Sequence, residues 1–153
     1  MLDTVTFTNL NSQTITFGSV YPIHAYDDPV VDRAESRPKS YADGKWPTYP
    51  YREGMEITVE GAILADDAVD YTTKRQTLIS YLRYVPITRL RKSGVWTVRF
   101  SGESEDVKAD VIITSFSAPR DGASPNYSTF RLVMESFLPW YIGVSSGNPY
   151  YDG

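Results

Sequence analysis

The stretch MEITVEGAIL at positions 55–64 sets the strongest limit on how this chain folds. Met55, Ile57, Val59 and Ile63 fall on one side of a period-two alternation, with Glu56, Thr58 and Glu60 on the other. Successive side chains of a strand point to opposite faces, so this order makes one apolar and one polar face, whereas a helix would scatter both around its axis. Gly61 inside the run predicts a bulge or a close backbone approach.

The same alternation recurs along the chain. Thr4 to Asn9 and Thr14 to Gly18 read as a β-hairpin with Val5, Phe7, Ile15 and Phe17 facing inward. A third extended segment, Val20 to Tyr26, leads into the turn signal Asp27-Asp28-Pro29. Further strands are expected over Val95 to Ser101, Val107 to Phe116 and Tyr127 to Phe137, the first two joined by the charged turn GESED and the last two by the loop APRDGASPN. Only one window has helical spacing. Tyr71, Leu78, Ile79 and Leu82 predict a helix over Ala68 to Tyr84, capped by Asp66 or Asp67 and closed by Pro86. The expected architecture is mainly β (α+β): an antiparallel β-sandwich with one flanking α-helix and a long inserted loop or hairpin.

A length of 153 residues, 41% of them hydrophobic and 22% charged, suits a single folded domain. No apolar run approaches the ~18 residues of a membrane span, and the N-terminus lacks the pattern of a secretory signal, so no membrane insertion and assembly in a cytoplasm are expected. The absence of cysteine removes disulfide, zinc-finger, iron–sulfur and thiol-nucleophile chemistry together, and a single histidine argues against a dedicated metal centre. No cofactor is expected. A net charge of -4 argues against a general duplex binder, although Arg83, Arg89, Arg91 and Lys92 are candidates for a local basic patch. Twelve tyrosines exceed what a small core requires and suit surfaces buried on association.

The sequence RAESRPKSYADGKWPTYPYREG, positions 33–54, has neither strand nor helix periodicity. Trp46, Tyr49 and Tyr51 are spaced as a sugar-stacking platform would be, but the interleaved prolines also suit a stiff arm whose aromatics anchor on a neighbouring surface, which is the reading preferred here.

Catalytic signatures are wanting. A G-x-S-x-G elbow, a P-loop, an H-E-x-x-H helix and a G-x-G-x-x-G turn are all absent. His24 has no serine or acid in a recognisable relation to it. Asp27 with Asp28, Asp66 with Asp67, and Glu103 with Glu105 and Asp106 are acidic neighbours, but turns and helix caps place carboxylates in solvent rather than across a cleft. Asn126-Tyr127-Ser128 matches a glycosylation sequon that carries no meaning without a secretory signal. The chain is expected not to be an enzyme.

YREGMEITVEGAIL followed by DDAVDYTTKRQTLISYLR, then GVWTVRFSGE and STFRLVMESFLPWYIG, resembles the N-terminal domain of siphophage distal tail proteins, the hub between tail tube and tail tip. The likeness covers most of Met1 to Gly143. It implies a virion protein: a ring-forming β-sandwich hub domain over 1–143 with an inserted arm at 33–54, a C-terminal tail over 144–153, and a six-membered ring around a channel for DNA passage. The implied partners are other copies of the chain, tube and tail-tip or baseplate subunits, and DNA in transient contact. Many members of the family carry a further C-terminal domain, which a chain of this length is expected to lack. On a ring subunit, Tyr41, Trp46, Tyr49, Tyr51 and Arg52 would lie at the inter-subunit interface, with Lys39 and Lys45 meeting acidic groups of the neighbour. Glu103, Glu105 and Asp106 are candidate channel-lining groups; six copies at -4 each give about -24 per ring, which would keep DNA phosphates from sticking. The alternatives are a tail-tube or other ring-forming tail subunit and, from a different class, a carbohydrate-binding module.

Overall fold

The computed structural model describes residues 2–28, 30–33, 36–38, 45–47, 51–83, 93–120, 126–136, 138 and 140–150. In chain order the elements are β1 (Leu2–Asn9), β2 (Thr14–Phe17), β3 (Ile23–Asp27), β4 (Val30–Arg33), β5 (Ser36–Pro38), β6 (Lys45–Pro47), β7 (Tyr51–Leu64), α1 (Ala68–Arg83), β8 (Gly94–Phe100), β9 (Val107–Ser117), β10 (Tyr127–Ser136), β11 (Tyr141–Gly143) and β12 (Pro149–Tyr150). The main strands form one ladder in the order β2-β1-β8-β9-β10-β7-β3, antiparallel at each step. The predicted mainly β fold with one flanking helix is the observed one.

The two ends of this ladder close over a shared core. Phe17 of β2 sits 5.8 Å from Phe130 of β10, and Tyr26 of β3 stacks 6.3 Å from Trp96 of β8. β9 makes the corner. Its residues Val107 to Val111 pair with β8, and Val111 to Ser117 pair with β10 across a register shift at Val133 and Met134. Such irregularities are where a strand bends from one layer into the next. Alternate residues fill the interior: Val5 and Phe7, Ile57 and Val59, Trp96 and Val98, and Phe130, Leu132 and Met134 are all buried.

Gly61 shows why β7 needs a glycine. A Cβ there would overlap the Pro22 carbonyl oxygen and come within 2.8 Å of the Phe130 ring. Opposite it β3 bulges, with Ile23 facing Gly61 and Ala25 facing Glu60, so His24 is the extra residue and is exposed. Of the two expectations for the glycine, the close approach is the one met in β7, and the bulge lies on its partner strand β3.

The helix begins where the acids stand. The Asp70 amide donates to Asp67 Oδ1 at 2.8 Å and the Asp66 amide donates to Asp70 Oδ2 at 3.0 Å, a reciprocal cap on the free N-terminal amides. Tyr71, Leu78 and Leu82 are buried, as their spacing predicted. Polar bonds then fix the helix on the sheet: the Tyr71 hydroxyl donates to Ser128 Oγ at 2.7 Å, Tyr21 donates to the Lys74 carbonyl, and Arg75 donates to the Ala118 carbonyl.

Among the described residues, the inserted stretch, expected as a loop or a hairpin, contributes two antiparallel pairings. Its base is an antiparallel ladder in which Arg33 faces Tyr51 and Asp32 faces Arg52, and a second ladder pairs Arg37 with Trp46. Backbone groups carry such pairing without apolar alternation, which is why sequence periodicity does not reveal it.

Candidate functional site

The strands bring four separated parts of the sequence to one end of the sandwich: the start of β1, the turn between β8 and β9, the root of the inserted hairpin, and the segment from β11 to β12. Leu2 pairs with Phe100, the Ser101 hydroxyl donates to Asp3 Oδ1 at 2.8 Å, and Gly143 pairs with Val107.

A chain of hydrogen bonds runs through this end. Trp96 Nε1 donates to the Tyr26 hydroxyl at 3.0 Å; Tyr26 and Tyr141 hydroxyls lie 2.6 Å apart; Tyr141 donates to Asp28 Oδ2 at 2.7 Å. With the Tyr141 proton committed to the carboxylate, Tyr26 is the donor to Tyr141, so every hydroxyl both gives and accepts. Burial, and behind it the neighbouring Tyr26 and Asp28, push the Tyr141 phenol far above its ordinary value. Phe100 packs edge-on to Tyr141 at 5.6 Å and stacks on Tyr150 at 5.7 Å.

Glu103, Glu105 and Asp106 sit in the turn between β8 and β9, each bonded within the chain. Glu105 Oε2 accepts from the amides of Ser145 and Ser146 at 3.1 and 3.0 Å, and its Oε1 accepts from the Ser146 hydroxyl at 2.6 Å. These donors, the Ser146 hydroxyl first, hold the Glu105 carboxyl below the usual carboxylate range. Tyr150 donates to Glu103 Oε1 at 2.9 Å, and Arg99 pairs with Asp106 at 2.9 Å. The C-terminal segment, which has no periodicity in sequence, folds back through residues 144–148 so that β12 pairs with β11.

The arm residues are placed less fully. Trp46 lies in β6, opposite Arg37, and Tyr51 and Arg52 lie in β7, opposite Arg33 and Asp32. Tyr41 and Tyr49 lie outside the described residues, as do Arg89, Arg91 and Lys92 of the basic patch.

His24 lines an open cleft of about 570 Å³ with Asp3, Tyr26, Asp28 and Phe100. Among the described residues, no group of three or more His, Cys, Asp or Glu stands ready for a metal ion, and no helix is long and apolar enough to cross a membrane. Sequence reasoning missed the Trp96–Tyr26–Tyr141–Asp28 chain, whose members are scattered between positions 26 and 141.

No protein-family model and no curated protein matches this sequence. Solved structures do match. The Dit protein of phage SPP1, a hub of the adsorption apparatus of phages that infect Gram-positive bacteria, superposes with a TM-score of 0.61 at 14% identity, over 91% of this chain and 52% of that one. The chain shares the fold of that hub protein. A chain of the phage p2 baseplate in its activated conformation superposes with a TM-score of 0.64 at 8% identity, over 98% of this chain and 57% of that one. This chain thus spans about half the length of each of these hub and baseplate chains.

Proposed function

We propose that this chain is a structural, non-catalytic virion protein of a long-tailed phage or phage-like particle, a distal tail hub whose copies close into a six-membered ring joining tail tube to tail tip. The observation that carries this reading is the superposition on the SPP1 hub over 91% of the chain. A likeness restricted to a few strands would fit many β-sandwiches. Here the likeness extends over 91% of the chain, more than a few strands account for. The aromatic arm gives the ring its means of closure: a head-to-tail contact in which each subunit extends Tyr41, Trp46, Tyr49, Tyr51 and Arg52 onto the next closes if the rotation per copy divides the circle.

In this reading Glu103, Glu105 and Asp106 face the channel. Glu103 and Glu105 bond the chain's own C-terminal segment through neutral donors that leave them charged, and those around Glu105 favour its charged form, while Asp106 is paired with Arg99. DNA phosphates would meet a fixed negative turn.

Light scattering on the purified protein, followed by electron microscopy of the same peak, tests the proposal. Discrete rings with residues 101–106 at the lumen are expected. Long tubes would replace the hub with a tube subunit, and a monomer at high concentration that binds glycans would overturn the class.

A further inference from the structure

We propose that residues 141–150 form a strap that opens and closes as one unit, clasped at one end by the Glu105 carboxylate and at the other by Tyr141, and that its state is passed to the root of the inserted hairpin through Asp28.

Besides the pairing of Ile142 with Lys108 and of Gly143 with Val107, and the packing of Phe100 on Tyr141 and Tyr150, these clasps hold the strap. Among the described residues β12, two residues long, pairs with β11, which has three and pairs on its other side with the first residues of β9. Strands this short are marginal without further support. At the turn that joins them, one side chain gathers the side-chain support: Glu105 takes three hydrogen bonds from Ser145 and Ser146. The turn at 144–147 presents these donors to a single carboxylate, with Gly147 at φ 70 completing the curve. Gly143 lies directly beneath, where a Cβ would overlap Glu105 Oε1 and come within 2.5 Å of Ser146 Oγ. The Val144 amide donating to the Asp106 carbonyl and the Tyr150 hydroxyl donating to Glu103 complete this end.

At the other end Tyr141 is fully buried and donates to Asp28, two residues before β4 begins. A strap that lifts takes this donor with it. Asp28 then loses a hydrogen bond and Tyr26 an acceptor, so the chain entering the hairpin loosens with the strap. Coupling of this kind is physical because both segments share the same bonds, not because they are merely near.

The charged and titratable groups around the clasp are Glu103 in the same turn, the Arg99–Asp106 pair from β8 and the turn, Lys108 of β9 opposite Ile142, and the Tyr150 phenol of β12. Glu105 is held below its ordinary value of 4.5, so the clasp is in full force above that pH and is lost as pH falls through the folded-state value. The strap itself does not depend on ring formation; its bearing on assembly rests on the proposed role of the arm.

Hydrogen exchange read by mass spectrometry on the full chain tests this. Glu105→Ala removes the acceptors, and Gly143→Ala displaces them while keeping the charge. In both, exchange over 141–150 is expected to rise about tenfold, with a smaller rise over 23–33 and none in the centres of β7 and β10. Unchanged exchange over 141–150 in either variant overturns the clasp. A looser strap with 23–33 unchanged overturns the coupling. Should a variant exchange fast throughout, the wild-type protein decides: acidification that frees the strap before the core supports the proposal, and simultaneous loss of both overturns it.

Discussion

The Tyr141 hydroxyl gives its proton to Asp28 and takes one from Tyr26, and neither bond has water to replace it when the phenol is buried. Removing a buried hydroxyl strands its partners, so Tyr141→Phe is expected to destabilise the fold by about 1–3 kcal/mol, read from the shift in the urea midpoint. The same group makes stability depend on alkali. Its folded-state pKa is raised above the ordinary 10.0, so its contribution is fully present below pH 10 and is lost as pH rises beyond it. Wild-type stability should fall above pH 10 more steeply than that of the phenylalanine variant. Parallel curves would show that Tyr141 is not the group responsible. None of this was legible beforehand, because a tyrosine in PWYIG has no local pattern to mark it as buried. Its burial is decided by β3 and β8, more than 40 residues away in sequence.

At the level of elements, the strands with alternating apolar residues were legible to within a few positions, since each carries its own face in its own residues. Met55 to Leu64 shows this and also where it stops: the strand begins at Tyr51, because pairing with β4 extends it past the apolar pattern. The C-terminal strands were illegible for a related reason. β11 and β12 are three and two residues long, too short for a period to show. The helix was the most readable element, because its start is written in side chains that bond to their own backbone. Asp67→Ala removes the acceptor for the Asp70 amide and is expected to cost about 1 kcal/mol, while Asp66→Ala, whose side chain has no part in that bond, should cost less. Thermal melts of the two variants distinguish them, and equal losses would show that general negative charge at the helix N-terminus matters more than the cap.

For the whole molecule, charge is unevenly divided. The arm at 33–54 has five Lys or Arg (Arg33, Arg37, Lys39, Lys45, Arg52) against three acids (Glu35, Asp43, Glu53), a net +2, which leaves the other residues at -6 within the total of -4. A cationic, aromatic arm and an acidic body are complementary between copies in a way that two identical acidic bodies are not. In the proposed ring the aromatic anchors would supply most of the affinity and the charges would speed and orient the approach. The two contributions separate on adding salt. Screening reaches ~10 Å at 0.1 M and shortens further above it, so raising salt should slow association and weaken assembly modestly without abolishing it. Replacing Trp46 and Tyr49 with serine should abolish assembly at every salt concentration while the melting curve of the subunit stays in place. Sedimentation across a salt series on both proteins makes the comparison. Full assembly of the serine variant would remove the arm from the interface, and assembly that collapses in moderate salt would make charge, rather than the aromatics, the principal bond between copies.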